Sequence, residues 1–315
     1  MLTRLRVGGV TLAVQSQRRS PVIEPTAIER AFVARSGADI VLALEERPVP
    51  EGAPERLVFD SGGPWRVHAR GRHYLYSVHE SGPSAPAERG VEIDRRWRQG
   101  VLFASPSTRA HHLGSALSYP LGELLFSHHI AASGGLVLHA CGVAIGGKGV
   151  LFCGPSGAGK TTMAQLWRKH HRDALILSDD RVVVRSDRGA LWVYGTPWHG
   201  TGGFASPRGA PISAIFFLQH AARTVIRSLD LPTSTAQLFA RTFPPLWDRR
   251  AVQTALGTCT LVAQNVPCHL LQFCPDLSAV KAVLNQISRQ TQLAERTRRN
   301  GQDECTGSLA ATIAE

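Results

Sequence analysis

The chain has 315 residues, 43% of them hydrophobic and 19% charged, the composition of a soluble globular protein able to bury a large core in one domain or two. No apolar run approaches the ~20 residues that cross a bilayer, and the six cysteines include no CxxC pair, so neither a zinc knuckle nor a secreted disulfide framework is suggested. The formal charge of +11 comes mostly from arginine, densest at Arg95–Arg98 and Arg296–Arg299; such a surface attracts nucleotides, acidic peptides or nucleic acid, but no nucleic-acid-binding signature accompanies it.

The N-terminal "MLTRLRVGGVTLAVQSQRR" places two arginines before a short apolar stretch that lacks a small-residue cleavage site. Its alternation reads as a first β-strand, and a cytoplasmic protein with no membrane partner is expected. Up to about residue 110, "ADIVLALEER", "RLVFD", "HYLYSVHE" and "GVLFASP" read as short strands separated by Gly, Pro and Ser clusters, with a loop near Ser81–Gly90. "SALSYPLGELLFSHHIAASGG" then has helical spacing and stops at Gly134-Gly135. Leu136–Ile145 and Gly149–Cys153 form a hairpin around a Gly-Gly-Lys-Gly turn, and Met163–His171 continues as a helix. "ALILS" is a strand ending in Asp179-Asp180, followed by a hairpin turning at Asp187–Gly189 and the strand "PISAIFFLQ". "SAVKAVLNQIS" is the last predicted helix, and the polar tail from Arg289 reads as loosely ordered. The expected division is a β-rich region over 1–112, a catalytic domain over 113–288 and a tail over 289–315.

"GVLFCGPSGAGKTTMAQLW" carries the chemistry. Gly154 to Thr161 satisfies GxxxxGK[ST] between a strand and a helix, as phosphate binding demands. Gly154, Ser156, Gly157, Ala158, Gly159, Lys160, Thr161 and Thr162 are the candidate nucleotide-binding residues. Glycines let backbone N–H groups wrap phosphates, and the helix N-terminus adds its dipole. Lys160 would reach the β- and γ-phosphates, and the Thr161 hydroxyl would hold Mg²⁺ of an ATP complex. Asp179 and Asp180 follow after about one helix and one turn. Of two adjacent carboxylates at a strand end, one can hold a metal while the other accepts a proton from a hydroxyl. His139, on the strand before the loop, reads alone as a core histidine.

The combination in "LHACGVAIGGKGVLFCGPSGAGKTT" and "LILSDD" resembles the HPr kinase/phosphorylase superfamily, whose catalytic domain shares its nucleotide fold with ATP-dependent phosphoenolpyruvate carboxykinase. The resemblance is strong over roughly residues 136–184 and loose beyond. It implies an α/β (α+β mixed) kinase domain behind a β-rich N-terminal region, with His139 near the transferred phosphate. It makes Asp180 the base on the acceptor hydroxyl and puts Asp179 at the metal or beside it. The family's later acidic metal ligand is unmatched, because "GTPWHGTGGFASPRGAPISAIFFL" holds no Glu; Arg208 stands for the family's arginine. "GTPWHG" and "PISAIFFL" look like the divergent members found with peptide natural-product genes, including lasso-peptide precursor kinases, which phosphorylate a peptide serine. Trp198 and His199 are then candidates for the acceptor site. Oligomers are common in that family, so a homo-oligomer is among the implied partners.

The sequence reading is therefore an ATP- and Mg²⁺-dependent kinase of a Ser or Thr hydroxyl on a peptide or protein. A small-molecule acceptor and a non-catalytic nucleotide-binding partner are the alternatives. A transport ATPase would need an LSGGQ-like signature, which is missing, and nucleic acid is not an expected partner.

Overall fold

A computed structural model of the chain describes residues 2–16, 24–50, 56–82, 84–104, 117–290 and 292. The boundary expected at 112, the Arg296–Arg299 cluster and the tail from 293 lie outside the described residues. Residues 289, 290 and 292 are helical.

The first half forms an eight-stranded sheet. Its strands are β1 (Leu2–Val7), β2 (Val10–Gln15), β3 (Ile40–Glu45), β4 (Arg56–Asp60), β5 (Trp65–Arg70), β6 (His73–Val78), β7 (Arg89–Asp94) and β8 (Gln99–Ala104), in the order β1-β2-β3-β8-β7-β6-β5-β4. The β2–β3 and β3–β8 pairings are parallel; the strands from β4 to β8 form an antiparallel meander. The expected single N-terminal strand is instead the β1–β2 hairpin. Gly8 (φ 57°) and Gly9 (φ 81°) supply the two left-handed residues that a two-residue hairpin turn of matching twist requires. A Cβ on Gly8 would sit 2.5 Å from Val183, so this turn is pressed against the second sheet.

The second sheet contains β9 (Leu136–Ile145), β10 (Lys148–Cys153), β11 (Leu175–Ser178), β12 (Arg181–Asp187), β13 (Ala190–Gly195), β14 (Gly209–His220), β15 (Val225–Ser228) and β16 (Cys268–Phe273). Two long strands tie it together. β9 pairs with β12 through its first half and with β10 and β11 through its second. β14 pairs with β13 at its start, then runs parallel to β10 and β16.

Five α-helices occur among the described residues: α1 (Leu121–Ala132), α2 (Lys160–His170), α3 (Leu231–Phe239), α4 (Arg249–Asn265) and α5 (residues 277–290). Both faces of the second sheet are covered. Val150 and Phe152 of β10 join Met163 and Trp167 of α2 and Val280 and Val283 of α5. Leu151 and Cys153, pointing the other way because strand side chains alternate, join Leu238 of α3 and Cys259 and Val262 of α4. A continuous apolar run such as "VLFC" is what burial on both faces demands. Helix α1 joins a different core: Leu121, Leu125, Phe126 and Ile130 pack with Leu12, Leu42, Tyr76 and Trp97 of the first sheet region and with Val137 and Val183 of the second. The two sheets thus share apolar contacts through α1, which carries the residue that later anchors the site.

Candidate active site

The turn between β10 and α2 holds Gly157 (φ 80°) and Gly159 (φ 99°) in the left-handed region. Gly159 is the N-cap of α2 and offers no side-chain cap, so the first N–H groups of the helix are left for a ligand or water. This is the arrangement that holds an anion. A Cβ on Gly159 would meet the Phe273 ring at 2.6 Å and His220 at 3.1 Å; His220 Nε2 in turn lies 3.1 Å from the Gly157 carbonyl oxygen. Lys160 is buried, and its Nζ donates to the carbonyls of Gly154 (3.1 Å) and Pro155 (3.0 Å). Burial lowers its pKa, while the Asp180 charge works in the other direction. Thr161 and Thr162 follow in the first turn of α2, and Ser156 and Ala158 complete the loop.

Asp179 and Asp180 have opposite environments. Asp179 is fully buried. Its carboxylate accepts the Thr161 hydroxyl (3.0 Å) and the backbone N–H groups of Gly200 and Gly202 (2.9 Å each). The two glycines permit that approach: a Cβ would stand 2.9 Å from Asp179 Oδ2 at Gly200 and 2.7 Å at Gly202. Asp180 keeps 27% of its side chain exposed. Its Oδ1 lies 2.9 Å from His139 Nε2 and 4.0 Å from Lys160 Nζ, and its Oδ2 accepts from Arg181 at 2.5 Å. Burial opposes ionisation of Asp180, but the His139 hydrogen bond and the Arg181, His139 and Lys160 charges outweigh it and hold the pKa below the ordinary value. Asp180 is therefore an ionised, partly accessible carboxylate at neutral pH.

Sheet register brings these groups together. His139 pairs with Arg181 across β9 and β12, the Ala140 N–H donates to the Asp180 carbonyl, and the Gly154 N–H donates to the His139 carbonyl at 3.4 Å. The turn leaves the end of β10, the carboxylates join the end of β11 to the start of β12, and His139 lies inside β9 where its pairing passes from β12 to β10.

Four residues that the sequence reading passed over complete the site. Arg181 bridges Asp180 to Glu123 of α1 (Nε–Oε1 2.9 Å), with its guanidinium 4.4 Å from the Phe243 ring centre. Burial raises the Glu123 pKa against the pull of Arg181. Phe243 also flanks His139, with ring centres 6.2 Å apart. The Arg241 carbonyl accepts the backbone N–H of His139, while the buried Arg241 Nε has no hydrogen-bond partner. Arg181 adjoins the Asp-Asp pair and could have been found as its counter-ion; Glu123, Arg241 and Phe243 carry no signal at that distance in sequence.

The remaining candidates are more peripheral. Trp198 packs on Phe126 of α1 (5.7 Å between ring centres) and donates its backbone N–H to Thr196 Oγ1. His199 is exposed beside Gly200, one of the donors to Asp179. Arg208 is exposed just before β14; its carbonyl accepts from Gly195 N–H, and among the described residues its guanidinium makes no hydrogen bond or ion pair. It is not gathered into the cluster.

The fold is mixed α/β, with two large sheets and helices on the second. No protein-family model matches the chain, and no curated protein matches it. Among solved structures it is similar to the Hpr(Ser) kinase/phosphatase from Coxiella burnetii, with 14% identity and a TM-score of 0.30, over 53% of this chain and 96% of that one. That likeness is a distant structural one. Among the described residues, no helix is long and apolar enough to cross a membrane.

Proposed function

We propose that the chain is an HPr-kinase-like phosphotransferase that moves the γ-phosphoryl group of ATP to a Ser or Thr hydroxyl on a peptide or protein. On this reading the second sheet is the nucleotide fold shared with phosphoenolpyruvate carboxykinase. The region over 1–112 serves the substrate, a lasso-peptide-type precursor being one candidate. The observation that carries the proposal is the division between the two carboxylates: Asp179 is sealed under three donors, while Asp180 is partly exposed between His139 and Lys160.

The residues fit a magnesium nucleotide. Thr161 offers a hard oxygen donor whose proton is accepted by the sealed Asp179 carboxylate at 3.0 Å, so Thr161 would hold the ion with Asp179 behind it. Mg²⁺ typically keeps several waters and takes its other ligands from substrate phosphates rather than from a protein cage. When bound, Mg²⁺ supplies charge neutralisation to the nucleotide phosphates. The loop N–H groups and Lys160 orient the phosphates, with Arg208 a further candidate that would have to be brought in. Asp180 takes the proton of the acceptor hydroxyl as its oxygen bonds to the γ-phosphorus and the bridging bond to ADP breaks. Arg181 and His139 fix the Asp180 carboxylate, and Trp198 and His199 border the acceptor position. Little covalent work is asked of the protein, since phosphoryl transfer is mostly positioning and charge stabilisation.

The test is intact-mass spectrometry of candidate precursor peptides incubated with the chain and Mg·ATP. A gain of one phosphate is expected, absent with Lys160→Ala. Asp180→Asn is expected to retain nucleotide affinity while transfer falls about 10²- to 10⁴-fold, the usual contribution of a positioned base. Full transfer by Asp180→Asn would overturn its role, and ATP binding with no peptide phosphorylated would remove the peptide-kinase reading.

A further inference from the structure

The arginine run at 95–98 has no part in the site above, yet it has a place in the fold. Arg95, Arg96 and Arg98, in the turn between β7 and β8, line a cavity of about 740 Å³ together with Arg249 and Arg250 at the start of α4. Among the described residues none of the five forms an ion pair. Arg95 lies over the Tyr74 ring (5.0 Å) and donates to the Gly71 carbonyl. The nearby acids are already engaged. Asp248 caps α4 through the Ala251 N–H and accepts the Tyr74 hydroxyl, while Asp94 accepts the backbone N–H groups of Arg96, Arg98 and Gln99.

Five arginines from two elements line one concavity with no carboxylate ion-paired to them among the described residues, a concentration of positive charge that favours the entry of anions. Arg249 and Arg250 also stand at a helix N-terminus, where the dipole disfavours cations. Guanidinium forks match carboxylates bidentately. We propose that this cavity docks an acidic segment of the peptide substrate, away from the reacting hydroxyl. The identity of that peptide as substrate rests on the kinase reading; the docking itself does not.

Helix α1 sets the distance. Its Glu123 belongs to the Asp180–Arg181 chain, and its other end, at Ala132, lines the cavity. At 1.5 Å per residue the two are roughly 14 Å apart. An extended peptide covers about 3.3 Å per residue, and it must pass around the buried helix, so the Asp or Glu residues of a substrate are expected at least about four positions from its acceptor hydroxyl.

The test uses the full chain and fluorescence anisotropy of a fluorescein-labelled peptide of Glu-Gly-Ser repeats, with its Gln-for-Glu counterpart as control. The Glu peptide is expected to bind and the Gln peptide not. Arg96→Gln/Arg250→Gln, both at exposed positions, is expected to keep the thermal midpoint and weaken binding at least about tenfold. Lys160→Ala is expected to leave binding unchanged, separating this cavity from the glycine-rich turn. Equal binding of the two peptides, indifference to the arginine pair, or loss with Lys160→Ala would overturn the docking site. Binding of inorganic triphosphate in the Lys160→Ala background, lost with the arginine pair and with no binding of the Glu peptide, would overturn it in favour of a small-anion pocket. Because anisotropy needs no transfer, Glu-peptide binding to this cavity without phosphorylation would leave the docking site standing and remove only the kinase reading.

Discussion

At the scale of single residues the site turns on how each charge is compensated. Arg181 holds Asp180 on one side and Glu123, whose side chain is only 12% exposed, on the other. Removing one partner of a buried pair leaves the other desolvated and alone, which typically costs ~3–5 kcal/mol. Arg181→Met is therefore expected to destabilise the chain more than Arg181→Met/Glu123→Gln, measured by urea unfolding. The sign with pH is fixed by Glu123. Its folded pKa lies above its unfolded one, and the loss of Arg181 raises it further. The penalty of Arg181→Met should be smallest below about pH 4.5 and grow as pH rises through the raised folded value. A penalty independent of pH would mean that Glu123 does not carry it.

At the scale of elements, the glycine-rich turn depends on what is packed beneath it. Gly159→Ala meets a φ of 99°, the Phe273 ring 2.6 Å from the new Cβ and, less tightly, His220 at 3.1 Å. Pairing it with Phe273→Leu relieves the closest contact and leaves the backbone strain, of order 1–3 kcal/mol. The expected outcome by calorimetry is that Gly159→Ala loses nucleotide binding and the double variant recovers it only in part; full recovery would mean that the contact alone forbids a side chain there. The loop around His199 follows the same logic. Gly200 and Gly202 are required because their N–H groups reach a carboxylate that any Cβ would displace.

For the whole molecule, the region around α1 is held by neutral polar groups inside an apolar core. Tyr76 Oη accepts the Trp97 Nε1–H and lies 2.7 Å from His128 Nδ1. Burial pulls the His128 pKa down to about 3 and lowers those of His129 and His269 as well. The unfolded chain protonates these histidines near pH 6.5, whereas the folded chain resists. Their stabilisation is thus complete above about pH 6.5 and is lost as pH falls toward the folded values, at up to ~1.4 kcal/mol per pH unit for each group. Thermal midpoints are expected to drop between pH 7 and pH 4.5, and His128→Gln should flatten part of that slope. An unchanged midpoint over this range would show that these histidines titrate normally in the fold.

The glycine-rich turn, its flanking strand and helix, and the Asp-Asp pair were legible in the sequence because their determinants are local. Consecutive residues supply the glycine conformations, the helix start and the apolar run. The hairpins at Gly146-Gly147 and Arg188-Gly189 were legible for the same reason, each carrying two positive-φ residues. The N-terminal hairpin was missed although Gly8-Gly9 marked it, because alternation on both sides of the turn imitates one strand. Which carboxylate is sealed and which is open was decided only by the tertiary structure: the three donors to Asp179 come from α2 and from the loop after β13. The pairing of Glu123 with Arg181, and the convergence of the Arg95–Arg98 turn with the start of α4, also depend on packing between distant segments. Local sequence specifies turns and helix starts through backbone sterics, but charge neighbourhoods are set by sheet register and helix docking, which the whole chain determines together.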